Sequence, residues 1–140
     1  MVDALITVEN LLDNNWNETN TPKPRIFYNE DGKTTSRIND FGIKLYEPSP
    51  RTLKAAGLGI SHREEVFIVS IDAISFRSRA QAIAMMDEVE RIMNNNLCGP
   101  DSDFDTLEVD QRNDQSSSAN RFWHFITDVR LRRLARIRNT

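Results

Sequence analysis

Only one cysteine, Cys98, occurs in the 140 residues. A lone thiol excludes an internal disulfide and any cysteine-cluster metal site. Lysine is confined to Lys23, Lys33, Lys44 and Lys54, so lysine-dependent active-site motifs are missing from the later part of the chain. Histidine occurs twice, at His62 and His124, and neither has a partner at metal-ligand spacing. Glycine is sparse too. Gly57-Leu58-Gly59 has no third glycine or following lysine, so no phosphate-binding loop is read. No apolar run approaches the ~20 residues needed to cross a bilayer, and no membrane partner is expected. Met1-Val2-Asp3-Ala4-Leu5 puts no basic region ahead of an apolar stretch, so no signal peptide is expected.

Charge is plentiful and unevenly spread. The net charge is −3, yet residues 121–140 carry Arg121, Arg130, Arg132, Arg133, Arg136 and Arg138 against the single acid Asp128. That segment is +5, which leaves −8 on residues 1–120. Residues 101–114 hold six acids against Arg112 alone. Hydrophobic residues make up 39% of the chain, enough for a packed core, and the length fits one domain over 1–140.

Periodicity divides the chain into elements. Leu5, Val8, Leu11 or Leu12 and Trp16 recur at helical spacing over 3–16, with Asp3 placed to cap the start. Residues 25–28 suit a short strand, and Asp31-Gly32 is a turn signal that could close a loose hairpin. Phe41, Ile43 and Leu45 alternate with polar neighbours, which predicts a strand over 40–47, ended by Pro48 and Pro50. Residues 48–62 read as a long connection with an apolar tip at Leu58 and Ile60. Such long loops are often functional. Residues 64–72 form the strongest strand. A helix follows over 78–96, with Ser78 as N-cap and a stripe of Ala80, Ile83, Met86, Val89, Ile92 and Met93. Strands over 105–112 and 121–138 complete the order. The second has a bulge at Arg132-Arg133, where the alternation slips. The fold class is α+β: a mainly antiparallel sheet of four to five strands, two helices packed on it, and long loops between strands.

Two of these strands are apolar on both faces. Phe67, Val69 and Ile71 oppose Val66 and Ile68, and Trp123, Phe125, Val129 and Leu131 oppose Phe122 and Ile126. A strand apolar on both sides needs cover on both sides. If both helices share one face, the other needs curling, loops or a second copy, and oligomerisation is the expectation. The alternative is that the first helix covers the second face.

Candidate chemistry reduces to charge. Asp101, Asp103 and Asp105 have the opening spacing of a calcium loop, but Thr106 replaces its glycine and Arg112 its final glutamate. The same region faintly echoes metal-dependent nucleases without their lysine. His62-Arg63-Glu64 lacks the downstream double cysteine of a deaminase, and His124 reads as a packing residue. No constellation supplies nucleophile, base and orienting group together, so no enzyme, cofactor or metal is expected. The arginines have three readings: phosphate contact, pairing between subunits, or pairing with the acidic strand of the same chain. The last leaves Arg132, Arg133, Arg136 and Arg138 as candidates for contacts outside the monomer.

The order and texture resemble a known family. The carriers are Leu11-Leu12-Asp13-Asn14-Asn15-Trp16-Asn17, then Tyr46-Glu47-Pro48-Ser49-Pro50, then Glu65 to Asp72. Met86 to Met93 and Phe125-Ile126-Thr127-Asp128-Val129 complete the set. Together, over about 3–131, they are similar to the tail-terminator and neck proteins of tailed viruses, of the archaeal virus or provirus type. The resemblance implies a non-catalytic subunit of a ring, commonly a hexamer, at the head–tail junction of the virion, made in the host cytoplasm. It implies docking on connector or neck and tail-tube proteins, with double-stranded DNA passing through without sequence-specific contact. Loops 17–39 and 48–62 match the loops that meet neighbouring rings, which nominates Lys54, Leu58, Ile60 and Arg63 for docking. The rival expectation is a small nucleic-acid-binding protein that uses the C-terminal arginine-rich strand.

Overall fold

Two strands of fourteen residues frame the molecule. The computed structural model describes residues 4–28, 40–47, 52–55, 62–101 and 104–136. In chain order these form α1 (Ala4–Asn15), β1 (Arg25–Tyr28), β2 (Phe41–Tyr46), β3 (Thr52–Ala55) and β4 (His62–Ser75). Then come α2 (Arg79–Asn94), β5 (Thr106–Val109), β6 (Asn113–Asp114), a 3-10 turn at Ser118–Asn120, and β7 (Trp123–Arg136). β4 and β7 pair antiparallel without interruption from His62↔Arg136 to Ser75↔Trp123. At ~3.3 Å per residue that ladder is about 45 Å long. The sheet runs β1-β2-β4-β7-β5, and the short β3 and β6 pair with β4 and β7. The α+β class stands; the five-strand path gains two short strands at its margins.

Three local expectations need correction. β1 lies parallel to β2, Arg25 beside Gly42, so residues 25–46 are not a hairpin. The connection bearing Asp31-Gly32 lies outside the described residues. Residues 48–62 contain a strand: β3 pairs with β4 from Thr52↔Val66 to Ala55↔Arg63. The bulge is not at Arg132-Arg133, where β7 stays in register with β4. It lies across the ladder. Val109 pairs with Val129 and Asn113 with Ile126, so residues 110–112 span only two residues of β7. The alternation of β7 only looks interrupted, because Arg133 occupies an inward position and meets the buried Glu65.

Both helices cover one face. Val69, Ile71 and Ala73 of β4, Val129 and Leu131 of β7, and Ile43 and Leu45 of β2 are sealed beneath Val8, Leu11 and Leu12 of α1 and Met85, Met86, Val89 and Met93 of α2. The first helix therefore does not cover the second face. The stripe of α2 is rotated slightly from its expected line: Ala82 and Met85 are buried, while Ala80 is exposed. Ser78 caps α2 by accepting from the Gln81 N–H at 3.1 Å.

A buried carboxylate ties the helices together. Glu88 accepts from the Asn17 N–H at 2.7 Å, from Asn20 Nδ2 at 2.9 Å and from Arg91 Nε at 2.8 Å. Arg91 donates in turn to the Asn15 carbonyl at 2.7 Å. Arg91, opposed by burial and then helped by the Asn17 and Asn20 donors, holds the Glu88 carboxyl near 2, below its ordinary 4.5. A depressed folded pKa contributes stability that is present above the unfolded value and is lost as pH falls through the folded one. Glu88→Gln is expected to lower stability at pH 7 by about 3 kcal/mol. Urea unfolding at stepped pH should show that gap closing as pH falls from 4.5 toward 2.

Candidate functional site

Pairing alternation decides where each arginine of β7 points. Odd positions from Phe125 to Leu131 face the helices, so Arg133 enters the same layer. Its guanidinium lies 2.9 Å from Glu65 Oε2, with both side chains largely buried. It also stacks over Phe67 at 5.2 Å and Phe104 at 5.6 Å, and those two rings meet edge-on. This is a charge-assisted pair walled by aromatics. Even positions face the other way. There Arg130 lies 3.2 Å from Asp110, and Arg132 lies 3.4 Å from Glu108. The acidic strand and the basic strand thus meet across one ladder, and β4 supplies the partner that β5 is too short to give Arg133.

Of the four arginines nominated for outside contacts, Arg132 and Arg133 are thus held within the chain. Arg136 ends β7 with its side chain outside the described set, and Arg138 lies beyond the described residues. Among the loop candidates, Lys54 in β3 and Arg63 in β4 belong to one antiparallel pair, with Lys54 opposite Glu64 and Ala55 opposite Arg63. The topology therefore puts both on the same ribbon. Leu58 and Ile60 lie outside the described residues.

The face without helices carries an arrangement that periodicity did not reveal. Lys44 Nζ lies 3.3 Å from Asp72 Oδ2, and His124 Nε2 lies 3.2 Å from the same oxygen. Asp72 is almost fully buried, although it stands on a sheet face with no helix above it. One rung away, Ser70 Oγ donates to Asp128 Oδ1 at 2.5 Å. Burial, then the Asp72 charge, push the Tyr46 phenol above its ordinary range, against the Ser70 hydrogen bond. Serine, histidine and aspartate are all present, but the hydroxyl serves Asp128 while the imidazole faces Asp72. The Ser70 hydroxyl thus donates to a carboxylate rather than to the imidazole. His124 does more than pack: its ring also meets Phe122 at 5.3 Å, and Phe122 meets Phe76 at 5.4 Å. Around this polar row sit the half-buried Val66, Ile68, Phe122 and Ile126.

The acidic loop has a structural duty. Asp101 accepts from Thr7 Oγ1 at 2.7 Å and from the Phe104 N–H at 3.1 Å, pinning α1 to the start of β5. Arg112 is forked between Glu90 and Asp87 of α2. Among the described residues, no three histidine, cysteine or acidic side chains converge as metal ligands.

No protein-family model matches the chain. No curated protein matches it either. Among solved structures, it is similar to a chain from the virion of a native gene transfer agent particle. The TM-score is 0.51 over 94% of this chain and 85% of the other, at 14% identity. A likeness at that identity is one of fold.

Removing Arg133 leaves the buried Glu65 carboxylate without its guanidinium. Arg133→Ala is expected to cost about 3–5 kcal/mol in denaturant unfolding. The double change Arg133→Met with Glu65→Met is expected to cost much less, because no buried charge is left behind.

Proposed function

We propose that the chain is a structural virion protein, the subunit of a ring at the head–tail junction in a tail-terminator or neck position. The observation that carries this reading is the one-sided layering of the sheet. Both helices lie on one face, and the other presents Val66, Ile68, Phe122 and Ile126 half-buried around a polar row. Burying a large aliphatic or aromatic side chain is worth about 1.5–3 kcal/mol, so a second copy on that face would gain from covering several. The fold likeness to a gene transfer agent virion chain supports the same reading. So does the resemblance in element order.

On this reading the work is mechanical. Copies close into a ring, with six as the expected number, around the path of double-stranded DNA. One rim meets the connector or neck and the other the tail tube. The β3–β4 ribbon with Lys54, Arg63 and the stretch holding Leu58 and Ile60 would dock on one neighbour, and Arg136 and Arg138 would supply charge at the end of β7. The rival nucleic-acid reading has fewer arginines to use, since Arg130, Arg132 and Arg133 already meet Asp110, Glu108 and Glu65.

Light scattering with electron microscopy tests the proposal. A mass that is a multiple of the 16.1 kDa subunit, with annular particles, is expected. Ile68→Thr and Ile126→Thr, which keep β-branching and put no second carboxylate opposite Asp72, should reduce that mass while circular dichroism remains that of the parent fold. A chain that stays monomeric at high concentration and binds DNA with an affinity that falls log-linearly with salt would overturn it in favour of the rival.

A further inference from the structure

The described surface exposes three large apolar side chains: Ile6, Phe76 and Leu97. Two of them sit in settings of opposite charge on opposite sides of the sheet. Phe76 is 37% exposed and stacks on Phe122 at the end of the face without helices. Beside Phe122 stands Arg121, exposed, with a left-handed backbone (φ 53) and no ion pair to any described residue. Left-handed backbone is costly for a residue with a Cβ, so the tight Ser117–Phe122 turn holds this arginine out at some expense. The turn is closed by bonds between its end residues: the Ser117 N–H donates to the Phe122 carbonyl at 2.6 Å and the Phe122 N–H to the Ser117 carbonyl at 3.0 Å.

The second setting is the outer stripe of α1. Ile6, Glu9, Asn10 and Asp13 follow helical spacing, and α1 holds two carboxylates and no cation. Ile6 is 45% exposed. Glu9 and Asp13 border a groove of about 270 Å³ whose other walls are Pro24 and, from β1, Arg25 and Ile26. Lys23 holds Asp13 at 2.6 Å. Glu9 has no ion pair to any described residue.

We propose that these two surfaces are the two halves of one head-to-tail contact. The α1 stripe of one copy docks on the Phe76–Phe122 end of the next, with Ile6 against the phenyl pair and Glu9 against Arg121. The occupant is a second copy because the chain carries both halves. α1 is packed on the helix-bearing face and Phe122 faces the other way, so one copy cannot satisfy itself. Each half pairs an exposed apolar group with an unpaired charge, and the two charges are opposite. A contact between different patches repeats by rotation and can close into a ring. The inference rests on the ring reading above and names the surfaces that would join.

A charge swap tests it. Arg121→Asp suits the left-handed position, which aspartate tolerates better than most residues. Arg121→Asp and Glu9→Arg, each alone, are expected to weaken self-association about tenfold or more in sedimentation velocity, with circular dichroism unchanged. The double variant restores the pair with its sign reversed and is expected to recover most of the assembly. If both single variants assemble like the parent, or the double variant does not recover, this contact is overturned and the ring reading stands. If the parent chain itself never assembles, the ring reading falls, and this contact with it.

Discussion

The uninterrupted register between β4 and β7 is the constraint on which the rest depends. Fourteen consecutive pairs make these strands a single rigid ribbon. Because strand side chains alternate with period two, that register assigns every residue to a face at once. Val69, Ile71, Ala73, Val129 and Leu131 go under the helices, while Ser70, Asp72, His124 and Asp128 go to the other side. A slip of one position would drive Asp72 and Asp128 into the core. Burying an unpaired carboxylate is so costly that the alternative pairing is excluded by charge as much as by packing.

Charge placement follows from the same ribbon. The excess of arginine at the end of the chain and the excess of acid in residues 101–114 neutralise each other locally, through Arg130 with Asp110 and Arg132 with Glu108. Arg133 would be a misplaced charge in the helix layer without Glu65 in the facing position. Two inward charges that would each be ruinous alone become one satisfied pair, kept in place by the Phe67 and Phe104 rings. Glu88 works in the same way at the helices, where a buried acid organises the Asn15–Asn20 connection. In both places the buried carboxylate is satisfied by a guanidinium, Arg133 for Glu65 and Arg91 for Glu88.

The α+β class was legible because alternation in 40–47 and 64–72 and the helical stripe in 78–96 are strong local signals. What was not legible was non-local. The parallel set of β1 against β2 is a matter of pairing within the sheet, whereas turn chemistry alone suggested a hairpin. The phase of α2 was misjudged because Ala80, Ala82 and Ala84 are interchangeable by type, and only contact with β4 and β7 chooses among them. The arginines were harder still. Arg133 looked like part of an outward basic run beginning at Arg132. Its in-phase position with Val129 and Leu131, and that of Glu65 with Phe67 and Val69, were the signals that could have paired them. The Lys44–Asp72–His124 row had no such signal, since its members come from three strands whose adjacency only the fold defines.

One-sided layering also bears on which symmetry suits assembly. A twofold contact would set the helix-free face against itself, where the charged groups are already engaged as Lys44 with Asp72, Ser70 with Asp128 and Arg130 with Asp110. Covering that face with itself would desolvate those pairs without supplying any of them a new partner. A head-to-tail arrangement would avoid this, because the next copy would bring α1, a different surface with an exposed Ile6 and the carboxylates Glu9 and Asp13. On the ring reading proposed above, the asymmetry that leaves one face of the sheet without a helix would suit copies that follow one another around an axis rather than copies that face each other across one.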